Sequence, residues 1–487
     1  MDWNKLLSSK TQMEHMKIPG SWGVYFVDEF DNDYRRIIGS EEFRALQDKM
    51  QVLSTEKNDF VRTRLTHSLE VSAIGKQLGT MVASNAKQTE KTDLFGEDAD
   101  MYARRFSTIL STAGLLHDLG NSPFGHFGEE AVGNWFRENL EREDLEYKGT
   151  PIKYILSEQM KQDLFSFNGN AQTLRILSRP AVNGVSSDLD VTCSVINTLM
   201  KYPVNSIEAD PNSPDGRAHK MGYFLSEKDF VERVRSECGL TGKEVYPLMF
   251  LLEASDDIGY VISDLEDVLS ERVFTENELA QFCEQALAEL PERGDEFYEL
   301  QYAAAKNLIN KQSRIVAEPG TDEERLRRTI RWIKFMKRWF IYAAADSFFN
   351  HYDEIMAGTY RGELLGDSFH GLTAGIFRKL MARYVYTEKN KLKTELAGNR
   401  IIMEFLDRFV PAVIYWEEDD CKERQTRINK GYIQIFPEKF LEDYRLRKTD
   451  DDAYNLYQRF LMVIDFVSSL TDSKAKRLYR ELSGGLI

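Results

Sequence analysis

The chain has 487 residues, a formal net charge of −16 and 42% hydrophobic residues. This length fits one large helical domain with appended helices, or two domains. No uncharged apolar run reaches the about eighteen residues that a membrane span needs, and the N-terminus lacks the apolar core of a secretory signal. We therefore expect a cytoplasmic protein. The acidic balance disfavours non-specific binding to nucleic acid or anionic membranes, but it allows a local basic site.

Helical periodicity dominates the chain. Apolar residues recur at helical spacing after His67 and again before His117. Gly120 and Pro123 then break the second helix. Strand-like alternation is rare, and its best example is the run 431–436, Gly-Tyr-Ile-Gln-Ile-Phe, which we predict to be a strand. The sequence therefore predicts a mainly α fold.

The cysteines carry no metal-binding signal. Cys193, Cys238, Cys283 and Cys421 are scattered and show no CxxC spacing. A zinc cluster and a disulfide framework are both disfavoured, so we predict reduced cysteines that pack in the interior.

A single histidine and an adjacent His-Asp pair form a candidate metal site. His67 alone would more often be a capping or core histidine. However, the chain has only seven histidines, and His67, His117 and His126 all fall in two short motifs. Imidazoles and a carboxylate are ligands that divalent metals accept without any thiolate. We therefore predict that His67, His117 and Asp118 bind a metal.

A fourth ligand is expected from the predicted helix 251–269, which offers Asp256 and Asp257. Adjacent helical residues point in different directions, so only one of the two can face the metal. Asp256 shares its helix face with Tyr260 and Asp264, at spacings of four and eight residues. We therefore choose Asp256. The nearby His126 and Glu129 indicate hydrolysis, and the arginines before His67 indicate an anionic substrate.

With its further motifs, the sequence resembles the HD-domain phosphohydrolases and, within them, the deoxyguanosine triphosphate triphosphohydrolase family. The motifs follow the order of that family from about residue 1 to 270 and more loosely beyond. They are Phe43-Arg-Ala-Leu-Gln-Asp-Lys-Met-Gln, Phe60-Val-Arg-Thr-Arg-Leu-Thr-His-Ser-Leu-Glu, Leu116-His-Asp-Leu-Gly-Asn-Ser-Pro-Phe-Gly-His-Phe-Gly-Glu, Phe167-Asn-Gly-Asn-Ala-Gln, Lys201-Tyr-Pro, Gly222-Tyr-Phe-Leu-Ser-Glu and Glu253-Ala-Ser-Asp-Asp-Ile-Gly-Tyr.

The resemblance implies a role for each member of a larger site. The metal ligands would be His67, His117, Asp118 and Asp256, and the catalytic pair would be His126 and Glu129. Gln47 would contact the deoxyribose, Arg64 and Lys201 the phosphates, and Tyr260 the sugar face, with Asp264 lining the same site. Lys220 is a weaker candidate, because a single loop lysine is often only solvated.

The resemblance also implies a reaction. A dNTP, with dGTP favoured, would be cleaved to a deoxynucleoside and tripolyphosphate. Mg²⁺ or Mn²⁺ would be the metal, with Fe, Co, Ni or Zn as alternatives. Glu129 would hold one ring nitrogen of His126, which could act as acid, base or transient nucleophile. Ala45 and Met50 depart from residues frequent in the family, so base selectivity stays open. A homohexamer is expected by the same resemblance.

The resemblance predicts a catalytic core in residues 1–270 and a C-terminal helical region in 271–487 that completes the site and makes oligomer contacts, with a soft boundary. One alternative function is a generic HD phosphohydrolase acting on monophosphates or cyclic nucleotides. A second alternative is regulation, because the basic and aromatic stretch 325–339 could bind single-stranded DNA or an allosteric nucleotide. The same stretch could instead be an amphipathic helix whose cations pair with acidic neighbours.

Overall fold

Helices make up nearly all the regular structure of the described residues. The computed structural model describes residues 1–11, 28–53, 60–85, 99–179, 189–385 and 388–485. The first ten α-helices are α1 Trp3–Leu6, α2 Glu29–Gly39, α3 Glu41–Ala45, α4 Arg64–Asn85, α5 Ala99–Leu116, α6 His126–Asn139, α7 Glu158–Phe165, α8 Gly169–Leu177, α9 Cys193–Leu199 and α10 Lys228–Glu237. The remaining ones are α11 Pro247–Ile258, α12 Asp264–Ser270, α13 Glu276–Ala288, α14 Glu296–Ala317, α15 Asp322–Asn350, α16 Tyr352–Ala357, α17 Gly371–Tyr384, α18 Lys389–Val413, α19 Arg427–Ile433, α20 Glu438–Arg447, α21 Asp452–Ser469 and α22 Asp472–Leu482. Short 3₁₀ segments cover Leu46–Asp48, Ile152–Tyr154, Gly216–Ala218, Leu225–Glu227 and Asp419–Arg424. The prediction of a mainly α fold is confirmed.

The first of two compact units comprises Met1–Leu7, Gln51–Leu115 and Tyr246–Lys393. In this unit α4 packs against α11 and α15, and α14 packs against α13, α15 and α17. The helices α4 and α5 approach very closely. If Gly114 carried a Cβ atom, that atom would lie only 2.7 Å from the backbone of Ser72. The absence of a side chain at Gly114 therefore permits the contact that fixes α5 against α4.

The second unit comprises Ser8–Met50, Leu116–Val245 and Thr394–Ile487. Its apolar core joins α6, α18, α20 and α21, with Phe136, Phe409 and Phe466 fully or almost fully buried. The guanidinium of Arg175 is also buried, 2.9 Å from Asp465 and 3.1 Å from Glu227. A buried cation needs such partners, because an unpaired charge in the interior is strongly unfavourable.

Within the described ranges the only sheet is a small hairpin. Strand β1 is Glu146–Tyr147 and strand β2 is Thr150–Pro151, paired antiparallel with Glu146 opposite Pro151 and Tyr147 opposite Thr150. The strand predicted at 431–436 is wrong, because α19 covers Arg427–Ile433 and starts at the cap residue Thr426. A short alternating run cannot distinguish a strand from the apolar face of a short helix.

The continuous helix predicted over 251–269 is interrupted. A π-helical segment, Gly259–Ser263, separates α11 from α12. A π turn closes hydrogen bonds over five residues instead of four and therefore carries an extra residue. Asp264 is consequently rotated about the helix axis relative to Asp256, so the predicted common face of Asp256, Tyr260 and Asp264 is interrupted. Such interruptions are frequent at functional sites.

The cysteines behave as predicted: all four are buried and free. Burial raises the pKa of Cys193 and of Cys283 to about 12, so these groups are thiols at neutral pH and are unreactive. Among the described segments, no helix has the length and apolar character that a membrane span requires.

Candidate active site

Reciprocal capping fixes the start of α4, which carries two predicted site residues. The backbone N–H of Thr66 donates to Thr63 Oγ1 over 3.4 Å, and the N–H of Thr63 donates to Thr66 Oγ1 over 3.0 Å. These bonds satisfy two N–H groups that the first helical turn would leave unpaired. Arg64 and His67 therefore stand one helical turn apart, as their spacing predicts.

A histidine of α4 meets the His-Asp pair that directly follows α5. One ligand atom each from His67, His117 and Asp118 lies within 4.8 Å of the other two. His67 and Asp118 are buried, and His117 is partly exposed. Two imidazoles and a carboxylate match the donor preferences of Mn²⁺, Fe²⁺, Zn²⁺ and Mg²⁺ without a thiolate. These three residues can therefore hold a divalent metal.

Two adjacent carboxylates of α11 face different partners. Asp256 Oδ1 lies 2.9 Å from His67 Nε2, and the Asp256 side chain is 47% exposed. A Cβ on Gly259 would lie 3.2 Å from His67 Cε1, so this glycine leaves room for the ring. Asp257 instead accepts from Arg378 over 2.7 Å, and burial raises the pKa of Asp257 to about 7 although Arg378 opposes the shift. Asp256 is thus the carboxylate beside His67.

Asp264 is a buried carboxyl that has no hydrogen-bond partner in the part of the chain that the structure describes. Its relative exposure is 0%, and neither carboxyl oxygen finds a donor within the described residues. Burial raises the pKa of Asp264 to about 7, while His67 nearby acts in the opposite direction. Buried polar groups normally have hydrogen-bond partners. A buried carboxyl that lacks them, close to the proposed metal ligand His67, therefore indicates a place where a polar ligand could bind. Tyr260, in the π segment before it, is partly exposed.

His126 and Glu129 form a hydrogen-bonded pair on the first turn of α6. The His126 side chain is 73% exposed, and its Nδ1 lies 3.4 Å from Glu129 Oε2. The Glu129 side chain is 10% exposed, and its other oxygen accepts from the backbone N–H of Gly169 over 3.2 Å. Glu129 is therefore held at both oxygens and can orient the imidazole. Nε2 remains as the ring nitrogen for proton transfer.

The other predicted substrate contacts lie on separate elements. Gln47 is exposed in the 3₁₀ segment Leu46–Asp48, and Lys220 is exposed in a loop. Arg64 is buried at the start of α4. Lys201 follows α9, with its Nζ 5.6 Å from the centre of the Tyr202 ring. Their contacts with a substrate stay predictions.

Arg62 is committed to structure rather than to a substrate. Its guanidinium donates to Glu70 over 2.9 and 3.0 Å, to Glu266 over 3.0 Å, and also to Asp267. These bonds tie the residues before α4 to α12. Of the two arginines upstream of His67, Arg64 is therefore the better candidate for a phosphate contact.

One neighbour of the metal group carried no role in the sequence analysis. The side-chain amide of Asn121 donates to Asp118 Oδ1 and so orients that carboxylate. The sequence contains a sign of this contact, because an Asn three residues after an Asp in a turn can reach back and donate to its carboxylate. Its significance depends on Asp118 being a ligand, which spacing alone cannot establish.

Comparison with known proteins identifies the family of this chain. The family model described as "HD domain" matches residues 64–176. A deoxyguanosinetriphosphate triphosphohydrolase-like protein of Listeria monocytogenes is 36% identical over 486 residues, covering 99% of this chain and 100% of the relative. This chain belongs to the deoxyguanosinetriphosphate triphosphohydrolase family. A deoxyguanosinetriphosphate triphosphohydrolase of Salmonella enteritidis PT4 is 30% identical over 492 residues, covering 93% of each protein.

The triphosphohydrolase family assignment confirms the resemblance found in the sequence motifs. The matched HD domain contains His67, His117, Asp118, His126 and Glu129. The chain is thus an HD-domain phosphohydrolase with a His-His-Asp group that can bind a metal. The likeness to both relatives extends through the C-terminal half.

Proposed function

We propose that this chain hydrolyses dGTP, and other dNTPs, at the α-phosphate and releases a deoxynucleoside and tripolyphosphate. The observation that carries the proposal is the group of His67, His117 and Asp118, whose ligand atoms lie within 4.8 Å of one another. The names of the relatives support the substrate class, because both are triphosphohydrolases of deoxyguanosine triphosphate or resemble one.

The proposed cofactor is a divalent ion, Mg²⁺ or Mn²⁺ before Fe, Co, Ni or Zn. Asp256 is the proposed fourth ligand, since its Oδ1 lies 2.9 Å from Nε2 of His67, which belongs to the His-His-Asp group. When bound, the ion would supply charge neutralisation at the α-phosphate and would acidify a water molecule. Asn121 would hold Asp118 in its ligating orientation.

The proposed role of His126 is proton donation to the 5′-oxygen of the sugar, which is otherwise a poor leaving group. Glu129 takes Nδ1, so the proton to be transferred would sit on Nε2. The high exposure of the imidazole allows it to contact a bound substrate. Glu129 is buried and held by Gly169, so it would keep the ring orientation constant through turnover.

Charged and polar side chains are proposed to recognise the substrate. We propose Arg64, Lys201 and, less strongly, Lys220 for the phosphates. Gln47 and Tyr260 are proposed for the deoxyribose, where close packing of Tyr260 would exclude a 2′-hydroxyl. Asp264 is proposed to face the sugar as well. With its pKa raised to about 7 it offers both a donor and an acceptor near neutral pH.

Product analysis tests the proposal. Purified protein is incubated with Mg²⁺ or Mn²⁺ and each dNTP in turn, and products are followed by phosphorus NMR and nucleoside chromatography. Tripolyphosphate and deoxynucleoside are expected, with dGTP the fastest substrate. Orthophosphate or pyrophosphate would indicate attack at another phosphorus. Turnover only of monophosphates or cyclic nucleotides would favour the alternative of a generic HD phosphohydrolase.

A regulatory role for α15 is a second candidate function, and the basic and aromatic surface of this helix supports it. Most cations of the stretch 325–339 are paired, as in Arg325–Asp322, Arg328–Glu318, Lys334–Glu266 and Lys337–Glu70. Arg331 and Arg338, however, form no ion pair within the described residues. At helical spacing beside them Phe335, Trp339 and Tyr342 are exposed. We propose this face, and the adjoining groove of 340 Å³, for single-stranded DNA or an allosteric nucleotide.

Assembly and location complete the proposal. We propose a homohexamer whose oligomer contacts come from the region 271–487, and a catalytic core in 1–270. We also propose a cytoplasmic location. Light scattering after size-exclusion chromatography tests the assembly, with and without dGTP.

A further inference from the structure

The loop that leads into α6 adopts a conformation that its sequence does not favour. Phe124 has φ of 62° and Gly125 has φ of 67°. Residues other than glycine rarely adopt such positive φ values, and a phenylalanine does so only where its surroundings hold it there. Phe124 is completely buried and stands two residues before His126.

A buried carboxylate from the far end of the chain holds this conformation. Asp472, the first residue of α22, accepts the backbone N–H of Phe124 at Oδ1 over 3.0 Å. Its Oδ2 accepts the backbone N–H of Met50 over 3.1 Å. One carboxylate therefore joins the loop before His126 to the residues that follow Gln47.

Two further contacts close around the same loop. A Cβ on Gly398, in α18, would lie 2.3 Å from Phe124 Cγ, so the absent side chain of this glycine makes room for the phenyl ring. The ammonium of Lys49 is buried and donates to the carbonyl of Asn121 over 2.5 Å and to that of Ser468 over 2.8 Å. The loop is thus fixed at its beginning and at its end.

The loop matters for His126 because α6 has no capping side chain. Its N-cap residue is Gly125, which has no side chain that could accept a hydrogen bond from the first turn. The direction in which α6 leaves the loop, and hence the place of His126 and Glu129, is set by the backbone of Phe124 and Gly125. That backbone is in turn set by the acceptor on Asp472.

We propose that Asp472 is a positioning residue for His126, acting through Phe124 rather than by touching substrate. This inference rests on the proposed function, in which His126 transfers a proton. It predicts that loosening the Phe124 contact slows the chemical step, while metal binding by His67, His117 and Asp118 continues.

Three variants separate positioning from general stability. Asp472→Asn keeps the shape of the side chain. However, the N–H groups of Phe124 and Met50 both need an acceptor, and the amide nitrogen of asparagine cannot accept from either. Gly398→Ala disturbs Phe124 from the opposite side and leaves Asp472 intact. Thr471→Ala is the matched control, because it removes the side-chain cap of α22 and the bond from Thr471 to Asp48 but leaves the acceptor of Phe124 in place.

Two readouts are measured on each folded, full-length variant: kcat with dGTP, and the Cε1–Hε1 resonance of His126 after isotopic labelling of histidine. We expect Asp472→Asn and Gly398→Ala to lower kcat at least about tenfold and to move the His126 resonance. Thr471→Ala should leave kcat within about threefold and the resonance in place. Unchanged kcat and resonance in both test variants would overturn the inference, and so would equal effects of Thr471→Ala. If the parent protein does not cleave dGTP, the proposed function fails, and the resonance alone decides the positioning role.

Discussion

Replacing Asp256 by asparagine should release the metal, whereas the same replacement at Asp257 should not. Asp256 Oδ1 lies 2.9 Å from His67 Nε2, so this carboxylate is beside one of the three proposed metal ligands. Asp257 points to Arg378, with 2.7 Å between Oδ2 and Nη2. The two substitutions replace the same side chain by the same amide, one residue apart on the same helix. A difference between them therefore reports position rather than general damage to α11.

The magnitude follows from what each carboxylate contacts. Loss of a group that only supports a ligand typically lowers metal affinity about 10- to 100-fold. Loss of a ligand itself should cost at least about 100-fold, or roughly 2.7 kcal/mol of binding free energy. The Asp257 carboxylate is paired with Arg378, and both side chains are partly exposed, so loss of this pair should change metal affinity by about threefold or less.

Mn²⁺ affinity measured by calorimetry, with metal content checked by mass spectrometry, decides between the two. Arg378→Gln is a second control, since it breaks the same ion pair from the other side. If Asp257→Asn lost the metal and Asp256→Asn kept it, the fourth ligand would be assigned to the wrong residue. If both variants kept it, α11 would supply no ligand.

Three further predictions concern catalysis, stability and the surface of α15. His126→Ala should bind Mn²⁺ as tightly as the parent but lower kcat at least about 100-fold, and a loss below about tenfold would contradict its role as proton donor. Burial raises the pKa of Asp163 to about 6, so the folded state holds this proton more tightly than the unfolded state does. The contribution of Asp163 to the free energy of unfolding should therefore fall by roughly 3 kcal/mol as the pH rises from about 4 to 6, and Asp163→Asn should remove that contribution from the pH dependence measured by chemical denaturation; an unchanged pH dependence would refute the assignment. Arg338→Glu should weaken binding of single-stranded DNA about tenfold while Arg325→Glu, already paired with Asp322, should not; equal effects would argue against a specific site.

The local motifs could be interpreted from the sequence because their chemistry is contained in short spacings. His67, the His117–Asp118 pair and the His126–Glu129 pair each lie on or beside a helix whose periodicity is visible. The choice of Asp256 over Asp257 rests on a predicted helix face shared with Tyr260 and Asp264, which the π segment interrupts. Asp256 does lie beside His67, but its role as a ligand stays a prediction. The fold class followed from the same periodicity, and the family assignment confirms the motif resemblance.

Features that depend on distant contacts could not be predicted in this way. The π segment at Gly259–Ser263 breaks no local rule of composition, yet it rotates Asp264 relative to Asp256. The bond from Asp472 to Phe124 spans 348 residues. The run 431–436 alternates like a strand, but its first half lies in α19 and the rest follows that helix, with Ile433 and Phe436 both buried. The contacts of Asp472 and Gly398 with the loop before His126 also support the proposal that the C-terminal region completes the site.

Hydrolysis of dGTP in ¹⁸O-labelled water is the most direct test of the central claim. Attack of water on the α-phosphate with release of the 5′-oxygen places the label in tripolyphosphate and none in deoxyguanosine, which mass spectrometry of the separated products detects. We expect that result, and we also expect the reaction to stop when a chelator removes the metal. Label in orthophosphate, in pyrophosphate or in the 5′-hydroxyl of deoxyguanosine would contradict it.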